Sequence, residues 1–213
     1  MIYGILITLC VAGIPAFPQS APPQDHGPRP AHPGHSAEHY RKTLEHPERD
    51  GWQKPQEVVA ALALQKGEVV VDLGARTGYF SRRFAALGAK VWAVDIEPQL
   101  VEHLRASSPP GVEARLARPD DPGLPPKSVD TIFICNVLHH IDHRGAYLPK
   151  LKQALKPGGR IVVLEFLPGD LPVGPPAQYK ISEAEMDAEM AAVGLRRTRS
   201  LGKLPYQYFF EYR

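Results

Sequence analysis

Val69-Val70-Val71-Asp72-Leu73-Gly74-Ala75-Arg76-Thr77-Gly78-Tyr79-Phe80 constrains the fold more than any other stretch. Three β-branched residues run into an acid, a glycine-bearing turn follows, and Tyr79-Phe80-Ser81-Arg82-Arg83-Phe84-Ala85 then carries a helical pattern. Near-continuous apolar strands are those buried on both faces of a parallel sheet. A glycine turn between such a strand and a helix N-terminus lets a ligand approach backbone. Open α/β sheets bind ligands just outside the carboxyl ends of their strands, so this turn marks the site edge. Arg76 stands where a turn of this kind would carry a third glycine.

The rest of the chain alternates in the same way. Strands are expected over 68–73, 90–94, 112–116, 129–135 and 160–166, with helices over 77–87, 98–106 and 144–155 between them. Pro55 can open a helix at its first position. Ser182-Glu183-Ala184-Glu185 is a capping box for a last helix ending at Gly194. Alternation of this kind gives a parallel sheet with right-handed crossovers. Two final strands, 195–201 and 206–212, are joined only by Gly202-Lys203-Leu204-Pro205, too short for a crossover, so they pair antiparallel. The expected fold is Rossmann-like and doubly wound, a mostly parallel seven-stranded sheet with a C-terminal antiparallel hairpin. The alternating Tyr206, Tyr208, Phe210 and Tyr212 read as one half-buried strand face.

Three segments follow from composition. Residues 1–20 hold an apolar run, 2–14, that suits a signal-peptide core or an apolar anchor, although no Lys or Arg precedes it. Export, or tethering to a membrane through this segment, is the expectation. Residues 21–48 form a Pro/His-rich linker and lead-in helix. Its histidines, with His26, His32, His35, His39 and His46 irregularly spaced, read as a solvated tether rather than a metal site. Residues 49–213 form the folded domain, large enough to bury roughly two-thirds of its unfolded surface. Cys10 and Cys135 have neither disulfide nor metal-ligand spacing, so no metal is expected. A net charge of +2 without a basic stripe gives no case for a nucleic-acid partner. Arg196, Arg197 and Arg199 read as a solvated strand edge.

Four features fall at successive strand ends: the turn from Gly74 to Gly78, Asp95, the run Arg118-Pro119-Asp120-Asp121-Pro122-Gly123-Leu124-Pro125, and Asn136-Val137-Leu138-His139-His140. An acid about 20 residues beyond a glycine turn accepts from a ribose diol. An acid at the third strand can accept from an exocyclic amine. Together they suit an adenosine-containing ligand. The nicotinamide fingerprint G-x-G-x-x-G fails twice here, at Arg76 and Tyr79.

With Leu155-Lys156-Pro157-Gly158-Gly159-Arg160 added, these motifs resemble class I S-adenosylmethionine-dependent methyltransferases, in the type 11 group that includes quinone-biosynthesis and arsenite methyltransferases. The resemblance covers about residues 50–213. It implies S-adenosyl-L-methionine as cofactor, a small-molecule substrate and methyl transfer. It implies cofactor contacts at Asp72, Gly74, Ala75, Arg76, Gly78, Asp95, Ile96, Asp120, Asp121 and Asn136, with Trp52, Gln53 and Lys54 closing over the cofactor. Gly74 and Gly78 would form the turn around the methionine moiety, Asp95 would hold the ribose hydroxyls and Asp120 would face the adenine amine. No cysteine pair suits arsenite. His139 and His140, at the expected crevice mouth, are the candidate catalytic bases. Their alternative reading, the preferred one, has His139 orienting the loop and His140 packing under the next helix. The segment 168–179 is a candidate lid, with Tyr179 or Tyr147 lining it. Arg76 leaves two readings open: a guanidinium paired with the cofactor carboxylate, or one filling the methionine pocket in a non-catalytic protein that binds a nucleoside-like ligand or a protein partner.

Overall fold

A computed structural model describes residues 45–213. The apolar segment 1–20 and most of the histidine-rich linker therefore lie outside the described residues. Among the described residues, no helix is long and apolar enough to cross a membrane. The chain enters through α1 (Pro47–Gln53) and α2 (Pro55–Leu62), each opened by its proline. The expected linker boundary at residue 48 falls inside α1. Then come β1 (Val69–Leu73), α3 (Ser81–Ala86), β2 (Lys90–Asp95), α4 (Pro98–Ser107), β3 (Val112–Leu116), β4 (Val129–Cys135), α5 (Arg144–Ala154) and β5 (Leu155–Phe166). The chain closes with α6 (Glu183–Ala192), β6 (Arg197–Lys203) and β7 (Gln207–Tyr212).

The seven strands form one sheet in the order β3-β2-β1-β4-β5-β7-β6. Pairing is parallel from β3 through β5. It becomes antiparallel at β5–β7 and β7–β6, as the short final connection requires. The sheet buries apolar residues on both faces by simple alternation. Val71, Ile132, Ile134, Ile161 and Val163 enter one core with Leu148 and Leu151 of α5. Val70, Phe133, Val162 and Leu164 enter the other with Phe84 of α3 and Val58 and Leu62 of α2. Each such side chain contributes about 1.5–3 kcal/mol on full burial. Phe80, Phe84 and Phe133 lock α3 to the sheet, with ring centroids 4.8–5.9 Å apart.

Three expectations are corrected. The helix expected from residue 77 begins at Ser81, because 76–80 are spent on the turn. Strand β5 begins at Leu155 rather than 160: Leu155 pairs with Val129 across a register shift that absorbs the glycines. The last strand is not half-buried. All six residues of β7 are buried, because it lies between β5 and β6 inside the sheet. Arg197 and Arg199 do lie on an edge strand, β6, where charge discourages pairing with another chain.

The end of the sheet away from the strand carboxyl termini is closed by polar groups that satisfy one another. Asp130 accepts from the Val69 N–H at 2.9 Å and from Lys156 Nζ at 2.7 Å. Arg160 donates to Thr131 Oγ1, Glu211 and the Leu62 carbonyl, and pairs with Glu68 at 3.5 Å.

Candidate functional site

The strand order reverses between β1 and β4: successive strands run outward to β2 and β3 on one side and to β5 on the other. Crevices of doubly wound sheets open at such a point. A crevice does open there, lined by Leu73, Gly74 and Arg76 after β1, Asp95, Ile96 and Glu97 after β2, Ala117 and Pro119 after β3, and Val137, His140 and Ile141 after β4, with Tyr147 from α5.

The turn after β1 is tied to the end of β2. The Gly74 and Ala75 N–H groups both donate to the Val94 carbonyl, at 2.8 and 3.0 Å. Gly74, Arg76 and Gly78 all have positive φ, at 70°, 51° and 80°. Glycine takes that conformation freely, whereas an L side chain is strained there. At Gly74 the lack of a side chain is also required by space, since a Cβ would collide with Val137 across the crevice. Arg76 is held in its strained conformation by its own N–H, which donates to Asp95 Oδ2 at 2.7 Å.

Asp95 thus has a structural task as well as a place on the wall. Its Oδ1 accepts from the Glu97 N–H at 3.1 Å. A carboxylate offers about four lone-pair sites, so two backbone donors orient it and leave acceptor capacity for a diol. Asp72 does not reach the crevice. It is 4% exposed beneath the turn, where Oδ2 accepts from Ser81 Oγ at 2.5 Å. Burial, only partly offset by the Ser81 hydrogen bonds, pushes its carboxyl from the usual 3.8 up to about 6. Thr77 Oγ1, in the same turn, is buried without a hydrogen-bond partner.

The remaining expected residues are more dispersed. Ala75 is buried behind the turn, and Gly78 packs against Leu104 of α4. Asp120 and Asp121 lie beyond the wall formed by Ala117 and Pro119. Asp120 is exposed and pairs with Arg118 at 3.3 Å, while Asp121 accepts from the Gly123 N–H at 2.8 Å. That backbone hydrogen bond, aided by the Lys150 and Arg118 charges, holds the Asp121 carboxyl below its usual range. Asn136 has φ 57°, its N–H donates to the Leu164 carbonyl, and its Oδ1 accepts from Gln207 Nε2 at 2.7 Å.

The two histidines separate. His140 is exposed and lines the crevice. His139 is not at the mouth but 3% exposed, with Nδ1 2.7 Å from Oε2 of Glu165, itself 1% exposed. The two imidazoles lie 4.1 Å apart, so the buried ring supports the exposed one. Glu165 carries no signal in the sequence, because it meets His139 only through the pairing of β4 with β5. Burial pushes the Cys135 thiol up to about 12, which keeps it protonated and unreactive at neutral pH.

The lead-in helix α1 is fastened over the turn. Tyr79 donates its hydroxyl to Asp50, Arg49 stacks 4.0 Å from the Tyr79 ring centroid, and Arg82 pairs with Glu45 at 2.7 Å. Gln53 is fully buried and donates to Gln207 at 2.7 Å, which in turn donates to Asn136. Trp52 packs near Phe166 and Tyr206, with centroids 6.0 and 6.4 Å away. Lys54 pairs with Glu57 instead of facing the crevice wall. The segment after β5 crosses Phe166 so closely that a Cβ on Gly174 would meet its ring at 2.8 Å. Tyr147 lines the crevice; Tyr179 does not. Among the described residues, no cluster of three or more His, Cys, Asp or Glu suits a metal ion.

Known proteins match this arrangement. Residues 71–161 match a family model described as a methyltransferase domain. A demethylmenaquinone methyltransferase of Tropheryma whipplei is 36% identical over 107 residues, covering 49% of this chain and 44% of that protein. A ubiquinone biosynthesis O-methyltransferase of Xanthomonas euvesicatoria is 32% identical over 124 residues, covering 53% of this chain and 52% of that protein. The chain therefore spans about half the length of these curated relatives. In fold, a SAM-dependent methyltransferase from Aquifex aeolicus superposes with a TM-score of 0.76 at 22% identity, over 84% of this chain and 98% of that one. The family model runs from β1 into β5, so the part of the chain that carries the crevice is similar to a methyltransferase domain, and the chain shares the fold of a SAM-dependent methyltransferase.

Proposed function

We propose that this protein transfers a methyl group from S-adenosyl-L-methionine to a small-molecule acceptor. The observation that carries the reading is Asp95: an oriented carboxylate with spare acceptor sites, in the wall of a crevice at the reversal point of the sheet. Asp95 would hold the ribose hydroxyls, the apolar wall of Ile96, Ala117 and Pro119 would face the base, and the turn at Gly74 would border the methionine arm. The cofactor supplies a methyl already activated on a sulfonium, so the protein's task is mainly to align acceptor and methyl. An acceptor that carries a proton needs a base. His140, exposed on the wall, is the group placed to take that proton, and His139, held by Glu165, steadies it. Support for a small aromatic acceptor comes from the aromatic cluster of Trp52, Tyr206 and Phe166, of which Phe166 lies 6.2 Å from the His139 ring, and from the quinone-pathway names of the relatives.

Calorimetry of the full chain with S-adenosylmethionine tests the reading. We expect binding, weakened by about 1–3 kcal/mol in Asp95→Ala, the scale of a lost charged acceptor. An Asp95→Ala chain that binds as tightly as the wild type would remove Asp95 from the site. A second reading, a non-catalytic nucleoside binder, is favoured by one observation, the strained Arg76 in the cofactor turn. Binding without transfer to any member of a phenol and hydroquinone panel would favour it. The apolar run 2–14 supports an exported or membrane-tethered setting. A mature N-terminus beyond residue 20, measured by mass spectrometry, is the expected result for export.

A further inference from the structure

Among the described residues, four tyrosines are at least nine-tenths buried: Tyr79, Tyr147, Tyr208 and Tyr212. A buried tyrosine hydroxyl usually finds a hydrogen-bond partner, because stripping it of water without one costs free energy. Three of the four do so. Tyr79 donates to Asp50, Tyr208 to the Ile181 carbonyl at 3.3 Å and Tyr212 to Asp187 Oδ1 at 2.9 Å. Tyr147, 5% exposed near the start of α5, has no hydrogen bond to its hydroxyl among the described residues. Nor is that oxygen sealed in: the buried side-chain atoms left without a partner are Thr77 Oγ1 and Ser108 Oγ. Tyr147 is also the member of the four that lines the crevice, so its hydroxyl is left for a ligand that enters there.

The neighbours of Tyr147 put it at the β3 end of the crevice. One turn further along α5, Lys150 donates to the Asp120 carbonyl at 2.7 Å and pairs with Asp121 at 3.7 Å, which fastens this helix to the loop after β3. Ala117 and Pro119, the wall that would face the base, belong to the same loop. Both are apolar, so they offer the edge of a base no side-chain partner. The acid expected to meet the base's amine, Asp120, is exposed and paired with Arg118. Burial, then the charges of Asp121 and Asp120, raise the Tyr147 pKa, so its hydroxyl keeps its proton and can donate at any working pH. Adenine offers such a donor its ring nitrogens, which are acceptors in the plane of the base. We propose that Tyr147 is a specificity residue of the crevice, its hydroxyl donating to a ring nitrogen of a bound adenine. The proposal rests on the cofactor reading above and deepens it by giving the base a polar partner on α5.

Deaza analogues test it, because each replaces one ring nitrogen by C–H and leaves the rest of the ligand alone. S-adenosylhomocysteine and its 1-deaza, 3-deaza and 7-deaza analogues are titrated by calorimetry into the full-length wild type and Tyr147→Phe, with a thermal unfolding curve for each ligand-free chain. Tyr147→Phe removes a hydroxyl that has no partner in the fold, so its unfolding midpoint should not fall. It should bind S-adenosylhomocysteine about 3- to 10-fold more weakly, the range of one neutral hydrogen bond. The wild type should lose the same factor on at least one of the three analogues, the one lacking the nitrogen that Tyr147 meets. Tyr147→Phe should bind that analogue within about twofold of S-adenosylhomocysteine, since the partner of the lost nitrogen is already gone. Equal S-adenosylhomocysteine binding by the two chains overturns the inference and leaves the cofactor reading standing. So does a wild type that binds all three analogues as tightly as the parent ligand. A variant that discriminates among the four ligands just as the wild type does also overturns it, since the hydroxyl would then act only through packing. A wild type that binds none of the four overturns both.

Discussion

Asp72 is a carboxylate that the fold tolerates at a cost, and the cost is measurable. It is buried beneath the turn, and burial raises its pKa from 3.8 to about 6. A group that holds its proton more tightly when folded adds stability at low pH and loses it as pH rises. Here the window runs from 3.8 to about 6. Below it the carboxyl is protonated in both states; above it the native state carries a desolvated charge worth about 3 kcal/mol, at about 1.36 kcal/mol per pH unit. Asp72→Asn keeps an oxygen to accept the Ser81 hydroxyl and removes the titration. Other carboxylates oppose this trend, so the informative quantity is the difference between variant and wild type. We expect the advantage of Asp72→Asn to grow by about 2 kcal/mol between pH 4 and pH 7.5, most of it below pH 6. That is about 4–8 °C in the unfolding midpoint at this size. Paired urea titrations at four pH values across the window measure it. Parallel stability curves for the two chains would show that Asp72 is ionised as easily in the native state as in the unfolded one, and the burial argument would fail.

Two further outcomes follow from close contacts. Gly74→Ala places a methyl against Val137 at a φ of 70°, so overpacking and backbone strain together should cost about 2–4 kcal/mol, read as a lower urea midpoint; an unchanged midpoint would mean that the crevice walls yield freely. Glu165→Leu leaves the buried His139 ring without its hydrogen-bond partner and should cost about 1–3 kcal/mol, much of it recovered in the His139→Phe/Glu165→Leu double variant because no polar group is then orphaned. Equal losses in single and double variants would show that the pair only fills space.

The features legible in the sequence are those with a local period or a local chemical reason. Val69 to Leu73 reads as a buried strand because every residue of it must be compatible with two apolar faces, and the register with β2 and β4 follows. The antiparallel pairing of β6 and β7 is forced by a connection too short for anything else. What escaped has its cause far away in the chain. Glu165 meets His139 across 26 residues, and Gln53 meets Gln207 across 154, so neither polar residue announces its burial. Leu155-Lys156-Pro157-Gly158-Gly159 looks like a terminator, yet Leu155 is already in the sheet, because pairing with Val129 outweighs the local preference of proline and glycine for turns. Asp120 and His139 were placed by motif order alone, and motif order gives the strand end without the direction of the side chain.

The irregularities of the molecule are not spread evenly. Among the described residues, five other than glycine have positive φ. Lys54 and Ala63 end helices and Lys127 sits in a turn, common places for that conformation. The other two, Arg76 and Asn136, lie at the carboxyl ends of β1 and β4, on either side of the point where the sheet reverses. Asp72, with its raised pKa, and Thr77, with its unpartnered hydroxyl, belong to the same end. At the opposite end Asp130, Lys156, Thr131, Glu68, Arg160 and Glu211 satisfy one another's charges and hydrogen bonds. A sequence selected for stability alone has no reason to segregate its strain in this way, whereas one that must keep a ligand-ready surface does. The stable end can hold the sheet rigid while the strained end keeps the turn that brings Arg76 to the crevice wall.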